Sequence, residues 1–164
     1  MEQKHTTKIN KKIVGHQVLT DSKVKDNFVE EQNLEYVHEG LARPDYLIGA
    51  TYKIKQPGTD HAMYITINDM VLNKGTDHEQ RVPYEIFINS KNMEHFQWVV
   101  ALTRIISAIF RKGGELCFLV EELKSIFDPK GGYFKKGGVF VPSTVAEIAI
   151  CIEKHFKLIG LIES

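Results

Sequence analysis

The stretch MYITINDMVLNKGTDHEQRVPYEIFINS, residues 63–90, decides the fold. Apolar and polar side chains alternate along residues 63–72 and again along residues 83–90, which is the pattern of half-buried β-strands. The link between them is short, polar and contains Gly75, so it is typical of a turn. Two strands joined in this way pair antiparallel. In the first strand, Met63, Ile65 and Ile67 are predicted to lie on one side. In the second strand, Tyr84, Ile86 and Ile88 are predicted to lie on one side.

A further strand precedes this pair. TYKIK, residues 51–55, is rich in strand-forming side chains, and the turn QPGTDH at 56–61 joins it to the next strand. The character of the sequence changes at Arg43-Pro44, which separates this strand from the polar segment before it. Consecutive strands with short links predict a three-stranded antiparallel meander.

The apolar spacing changes to three or four after residue 92, which indicates helices. Residues 93–112 predict a long, largely buried helix, with Trp98, Val100 and Ile105 widening its apolar stripe. Residues 116–127 predict a second helix, ended by Asp128-Pro129. A third begins at residue 144. The sequence therefore predicts an α+β fold of two layers, a three-stranded meander packed on about three helices.

The start of the third helix also carries a capping pattern. Thr144 is followed three residues later by Glu147. In a capping box, each of two such side chains satisfies the backbone N–H of the other. We therefore expect Thr144 to be the N-cap residue.

Composition places the chain among ordinary folded proteins. Its 164 residues are 43% hydrophobic and 26% charged, and 21 basic side chains balance 21 acidic ones. This balance gives no reason to expect direct binding to nucleic acid or to a membrane surface. The start, MEQKHTTKINKK, has no apolar segment behind it, and no apolar run is long enough to span a bilayer. We expect no secretory signal and a cytoplasmic location.

The chain divides by composition at about residue 42. Residues 1–42 are polar and aperiodic, and we interpret them as a tail or linker that is either loosely held or ordered by a partner. Residues 43–164 are predicted to form the domain. Cys117 and Cys151 stand among apolar residues at helical spacing, which predicts buried thiols in a reducing compartment and no zinc site.

The glycine-rich loop DPKGGYFKKGGVFVPS, residues 128–143, invites comparison with a phosphate-binding loop. Gly132 and Gly137 have the spacing of a P-loop, but Gly138 and Val139 stand where its lysine and hydroxyl residue are required. The loop also follows a helix and not a strand. The P-loop interpretation therefore fails.

Two interpretations of this loop stay open. Lys130, Lys135 and Lys136 surround glycines whose backbone N–H groups are accessible to an anion. Alternatively the loop is a plain hinge, with Tyr133 and Phe134 packed down on the core.

The tetrapeptide GTDH occurs at residues 58–61 and again at 75–78, and its histidines and aspartates suggest a metal site. The two copies fall in successive turns at opposite ends of one strand. Roughly ten strand residues at ~3.4 Å each separate them by ~30 Å. We therefore interpret both as turn sequences and expect no shared metal site.

The segment INSKN, residues 88–92, leads from the last strand into the first helix. Its polar side chains either cap the helix or bind a phosphate or carboxylate at the helix N-terminus. Arg104 in the middle of the helix either pairs with a carboxylate or reaches a ligand. The candidate ligand-binding residues are Asn89, Ser90, Lys91, Asn92, Arg104, Lys130, Lys135 and Lys136. No nucleophile and base stand in a recognisable motif, so we predict no catalytic residue.

Longer segments carry a family resemblance. RPDYLIGATYKIKQPGTDHAMYITIND, PYEIFINSKNMEHFQWVVALTRIISAIFRKGG and FLVEELKSIFDPKGGYFKKGGVFVPS resemble the C-terminal, TSCPD-type region of adenosylcobalamin-dependent (class II) ribonucleotide reductases. The similarity covers about residues 43–162. The third helix opens with VPSTVAEI and lacks the cysteine-proline pair of the family signature, so no role of that cysteine is carried over.

The resemblance implies a place in deoxyribonucleotide synthesis for DNA. The radical chemistry of class II enzymes belongs to a large barrel with active-site cysteines, and we expect the present chain to be inactive alone. It implies a catalytic reductase chain as partner, with adenosylcobalamin as the cofactor of that partner and none assigned to this chain. Binding of a nucleotide and assembly into a homo-oligomer stay open.

Two hypotheses follow from these observations. In the first, the chain is an accessory subunit or domain of a class II reductase. In the second, it is a free-standing regulatory or phage-derived module that binds a phosphorylated small molecule at INSKN and the glycine loop.

Overall fold

A computed structural model describes residues 34–91 and 95–163. The predicted tail up to residue 33 and the predicted ligand residue Asn92 lie outside these ranges. The elements are β1 (Ile48–Ile54), β2 (Met63–Leu72), β3 (Gln80–Ser90), α1 (Phe96–Lys112), α2 (Cys117–Lys124), β4 (Tyr133–Phe134), β5 (Phe140–Val141) and α3 (Thr144–Leu158).

The first three strands form one antiparallel sheet in the order β1-β2-β3. Thr51 of β1 lies opposite Thr66 of β2, and Ile65 of β2 lies opposite Ile88 of β3. The predicted meander and the α+β class are thereby confirmed. A separate two-stranded sheet joins β4 and β5.

The pairing of β2 with β3 contains an irregularity. Asn68 pairs with Glu85, whereas Asp69 pairs with Pro83, so Tyr84 is an extra residue on β3. Such a bulge shifts the alternation of the strand that contains it. The prediction that Tyr84 shares a side with Ile86 and Ile88 is therefore wrong. A separate apolar cluster contains Met70, Leu72, Val82 and Tyr84.

The main core lies between the sheet and the helices. Helix α1 packs on β3, α2 packs on α3, and α3 reaches β1 and β2. A buried hydroxyl fixes the first of these contacts, because Ser107 Oγ of α1 accepts a hydrogen bond from the Ile86 N–H of β3 at 3.0 Å. The residues of this core that are no more than 1% exposed are Ile65, Ile67, Ile86, Ile106, Phe110, Ala149, Ile152 and Phe156.

Helix α1 contributes only one side to this core. Ile106 and Phe110 are buried, whereas Trp98 is 76% exposed and Ile105 is 59% exposed. The prediction of a largely buried helix is wrong, since a helix in the outer layer of a two-layer fold is covered on one side only. Gly113, with φ of 72°, ends the helix through a bond from its N–H to the Phe110 carbonyl.

The second helix is shorter than its apolar spacing suggests. It ends at Lys124, and Phe127 beyond it is 73% exposed. Cys117 and Cys151 are partly buried free thiols and not fully buried ones. No helix within the described ranges is both long and apolar enough to cross a membrane.

Candidate functional site

A groove of about 810 Å³ opens beside the first turns of α1 and α3. The β1–β2 turn and the end of β3 complete it. Apolar side chains from the core line part of it, among them Ile54, Met63, Ile88, Leu102 and Ile148. Its polar lining comprises Gln56, Thr59, Asp60, His61, Ser90, Lys91, His95, Asp128 and Thr144. A groove of this size and mixed character suits a small polar ligand.

The first turn of α1 is electropositive. His95 makes no side-chain hydrogen bond to it within the described residues, and the turn contains no acidic residue. The first intrahelical bond runs from Val99 N–H to the His95 carbonyl, so the N–H groups of residues 96–98 have no partner within the helix. These groups and the helix dipole favour an anion. Lys91, four positions before His95 in the chain, also lines the groove.

The first turn of α3 is capped differently from the prediction. Ser143 is the N-cap residue, and its Oγ accepts a bond from Ala146 N–H at 3.0 Å. The predicted capping box of Thr144 and Glu147 is wrong. The N-cap lies one residue earlier, at Ser143, and Ala146 has no polar side chain to complete a box there. Thr144 instead accepts a bond from Gln56 Nε2 at 2.6 Å. Glu147 is fully buried and binds other partners, so its carboxylate does not return to the helix end.

The structure brings only part of the predicted ligand set together. Ser90 and Lys91 line the groove. Asn89, the residue before them on β3, is exposed and lies opposite Tyr64 in the sheet. Arg104 is exposed on α1 and has no ion pair among the described residues. The three predicted loop residues Lys130, Lys135 and Lys136 are not part of the lining.

The glycine-rich loop is a β-hairpin and not a plain hinge. Strands β4 and β5 pair antiparallel, and the turn between them has Gly137 and Gly138 at φ of 93° and 78°. Phe134 is 65% exposed and contacts the ring of Phe140, so it does not pack on the core as predicted. Its neighbour Tyr133 is partly buried.

The hairpin uses one of its lysines internally. Lys135 Nζ lies 2.6 Å from the buried Glu147 carboxylate, and the Tyr133 hydroxyl donates to the same carboxylate. Burial, and then the bond to Glu147, raise the pKa of Tyr133. Lys135 therefore compensates a buried charge of α3, whereas the exposed Lys136 in the turn has no ion pair among the described residues.

The two GTDH copies lie in the β1–β2 and β2–β3 turns, at opposite ends of β2. Asp60 and His61 of the first copy line the groove, and the second copy does not. Within the described ranges, no three His, Cys, Asp or Glu side chains are grouped so that they could hold a metal ion.

A buried polar relay connects the helices to the sheet. The Tyr52 hydroxyl lies 2.9 Å from His155 Nδ1, and His155 Nε2 lies 2.7 Å from Asp69 Oδ1. Arg81 Nη2 binds the other oxygen of Asp69 at 2.5 Å. Because a carboxylate only accepts, His155 Nε2 donates to Asp69, and in the neutral ring Nδ1 accepts from Tyr52.

Two groups at the relay, the Tyr52 hydroxyl and the neighbouring Cys151 thiol, have raised pKa values. Burial raises the pKa of Tyr52, and nearby Cys151 and Asp69 add to this effect. Burial also raises the pKa of Cys151, which favours the unreactive thiol over the thiolate. Glu147, Cys151 and His155 follow one another at intervals of four along α3, so they share one side of the helix. This side tethers α3 to β1, β2 and the hairpin.

Sequence reasoning missed the relay, although a signal for it exists. Asp69 continues the alternation of Ile65 and Ile67, which places a carboxylate on the buried face of β2. His155 adjoins Phe156 on the buried side of α3. Buried polar groups require hydrogen-bond partners, so a partner could have been expected for Asp69 and for His155.

Comparison with known proteins gives one match. The family model described as the TSCPD domain matches residues 33–156. No curated protein and no solved structure matches the chain.

Proposed function

This chain belongs to the TSCPD domain family, and from that membership we propose that it serves as an accessory domain or subunit of an adenosylcobalamin-dependent ribonucleotide reductase. The TSCPD domain is known from class II ribonucleotide reductases. The match over residues 33–156 is the observation that carries the proposal. In this function the chain supports a catalytic partner that converts ribonucleotides into deoxyribonucleotides for DNA synthesis.

The chemistry of the described residues suits a supporting function. Nucleophilic or redox work by a thiol requires a lowered pKa, and burial raises that of Cys151. The buried groups of the relay and of the hairpin bind one another and hold the layers together. Their arrangement favours a stable domain that binds a partner through its surface.

Adenosylcobalamin belongs to the partner in this proposal. The groove of about 810 Å³ is of a size for a nucleotide. The proposal assigns no cobalamin chemistry to this chain.

Association with a catalytic chain tests the proposal. A tagged class II catalytic chain is co-expressed with this protein, and the mixture is analysed by size-exclusion chromatography. We expect the two chains to elute together in a fixed ratio. Separate elution over the whole accessible concentration range contradicts the proposal.

A second candidate function rests on the groove itself. Lys91 and His95 line the groove beside the first turn of α1, whose N–H groups at residues 96–98 have no partner within the helix, and this combination favours a phosphorylated small molecule. In this alternative the chain is a free-standing regulatory or phage-derived module. The Lys135 side chain is committed to Glu147, so Lys91 is the lysine to test.

Calorimetry with CDP and ATP tests this second function. We expect Lys91→Ala to weaken binding by about tenfold, because a charge-assisted bond to phosphate contributes roughly 1.5–3 kcal/mol. Lys136→Ala, which removes an equal charge from the exposed hairpin turn, is the matched control and leaves the affinity unchanged. No heat of binding with the unchanged protein, or equal losses in both variants, contradicts a phosphate site at the groove.

A further inference from the structure

Helix α1 carries an apolar stripe on the side that faces away from the sheet. Trp98, Ala101, Ile105 and Ala108 follow one another at intervals of three, four and three, so they lie on one side of the helix. All four are exposed, Trp98 by 76% and Ile105 by 59%. We call these four residues the outer stripe of α1. Large side chains alternate in it with alanines, which is a surface into which another helix can pack closely.

The charged side chains within helix α1 have one sign. The helix contains Arg104, Arg111 and Lys112 and has no Asp or Glu anywhere between Phe96 and Lys112. Arg104 and Lys112 are exposed, and neither has an ion pair among the described residues. Arg104 precedes Ala108 by four positions, and Lys112 follows it by four, so both border the stripe.

We propose that the outer stripe of α1 binds an amphipathic helix of a partner protein whose apolar face is bordered by Asp or Glu side chains. Apolar contact with Trp98 and Ile105 supplies the attraction, and the carboxylates select the partner through Arg104 and Lys112. The inference goes beyond the proposed function, because it names the chemistry of the partner helix and not the protein that carries it.

Charge decides between this partner and a second copy of the chain. Two copies joined through the stripe would bring Arg104 and Lys112 of both helices together, with no acidic residue on either helix α1 to compensate them. Like charges placed against each other oppose association. An acidic partner helix turns the same charges into favourable pairs.

Tryptophan fluorescence provides the test. Trp98 is the only tryptophan in the sequence, and it belongs to the outer stripe and also lines the groove, so the titration is made without any nucleotide present. The full chain is titrated with two synthetic amphipathic helices that lack tryptophan and share one apolar face of Leu and Ala. One is bordered by Glu and the other by Lys. We expect the Glu peptide to shift the emission to shorter wavelength with saturation, and the Lys peptide to leave it unchanged.

Two variants separate the charge contribution from the apolar contribution. Arg104→Glu is expected to weaken binding of the Glu peptide by about tenfold, and Lys136→Glu, the same charge change on the distant hairpin turn, leaves it unchanged. Ile105→Ala is expected to weaken binding of the Glu peptide by about tenfold or more, measured by the same shift of the Trp98 emission. Circular dichroism of each variant establishes that the fold is retained.

Three results would overturn the proposal. The first is an unchanged emission with the Glu peptide, and the second is an equal shift with both peptides. The third is a shift that grows with protein concentration in the absence of any peptide, which would assign the stripe to a second copy. The peptide titration and the co-elution with a reductase chain are separate measurements, so failure of one is distinguishable from failure of the other.

Discussion

His155 Nε2 and Asp69 Oδ1 lie 2.7 Å apart, although 86 positions separate the two residues in the chain. Both side chains are completely buried. The bond joins α3 to the central strand β2, and Tyr52 and Arg81 extend it on either side. A buried polar link of this kind specifies how a helix sits on a sheet, because an apolar contact alone tolerates small shifts.

Asp69→Ala tests this link. The change leaves the fully buried His155 Nε2–H without its acceptor, and it removes the ion-pair partner of Arg81, whose side chain is about one-third exposed. We expect the free energy of unfolding to fall by about 3 kcal/mol, the loss typical of a buried pair from which one member is removed. Urea denaturation followed by circular dichroism measures it.

Glu153→Ala is the control for this prediction. Glu153 pairs with Lys124 at 2.6 Å, but both side chains are about one-third exposed. A solvated ion pair contributes at most about 1 kcal/mol. Equal losses in Asp69→Ala and Glu153→Ala would show that the relay does not contribute to stability in the way described.

Ser143→Ala tests the position of the helix cap. We expect a loss of about 1 kcal/mol in unfolding free energy, because the Ala146 N–H loses its acceptor. The unchanged protein is the reference. Thr144→Val removes the Thr144 hydroxyl but leaves Ser143 as the cap and leaves Gln56 Nε2 its bond to Tyr133, so it is expected to cost less. Thermal unfolding distinguishes the variants. A larger loss in Thr144→Val than in Ser143→Ala would favour the predicted capping box.

Neighbouring isoleucines on α1 test the orientation of that helix. Ile106→Ala opens a cavity in the core and is expected to cost about 2–4 kcal/mol. Ile105→Ala removes an exposed side chain and is expected to change stability by less than about 0.5 kcal/mol. Chemical denaturation of both variants is the measurement, and the opposite ranking would mean that the outer stripe is buried.

Glu85 gives the protein a pH-dependent contribution to stability. A hydrogen bond from Arg43 lowers the pKa of Glu85 below its usual 4.5, and Asn68 reinforces this effect. A lowered folded-state pKa stabilises the fold above the unfolded-state pKa, and this stabilisation is lost as the pH falls through the folded-state value. We therefore expect Arg43→Ala to destabilise the protein at neutral pH and to match the unchanged protein at low pH.

Unfolding measured from neutral to acidic pH checks this dependence. Arg104→Ala removes an exposed arginine without an ion pair among the described residues and serves as the control. Its stability is expected to follow that of the unchanged protein at every pH. A difference between Arg43→Ala and the unchanged protein that persists at low pH would contradict the assignment to Glu85.

The sheet could be predicted from the sequence because its signal is local. Alternation between residues 63 and 90 and the turn residues between them define strands, order and direction. The bulge at Tyr84 could not be predicted, since it depends on how Pro83 and Asp69 meet across two strands. The exposure of Trp98 escaped prediction for a related reason, because spacing identifies an apolar side chain and not the layer that covers it.

The site was predicted less completely than the sheet. Ser90 and Lys91 were found because polar residues between a strand and a helix mark a helix N-terminus. The involvement of Lys135 with Glu147 depends on the folding of the hairpin back onto α3, which no local pattern encodes. The relay of Tyr52, His155 and Asp69 likewise joins residues that are distant in the chain.

Formation of deoxyribonucleotides by a reconstituted pair of chains tests the central claim most directly. A class II catalytic chain from the same genome is assayed with adenosylcobalamin and a ribonucleotide, with and without this protein. The account predicts a faster reaction when this protein is added, saturating at a fixed ratio of the chains, and no product from this protein alone. An unchanged rate at every ratio, or product from this protein alone, would contradict it.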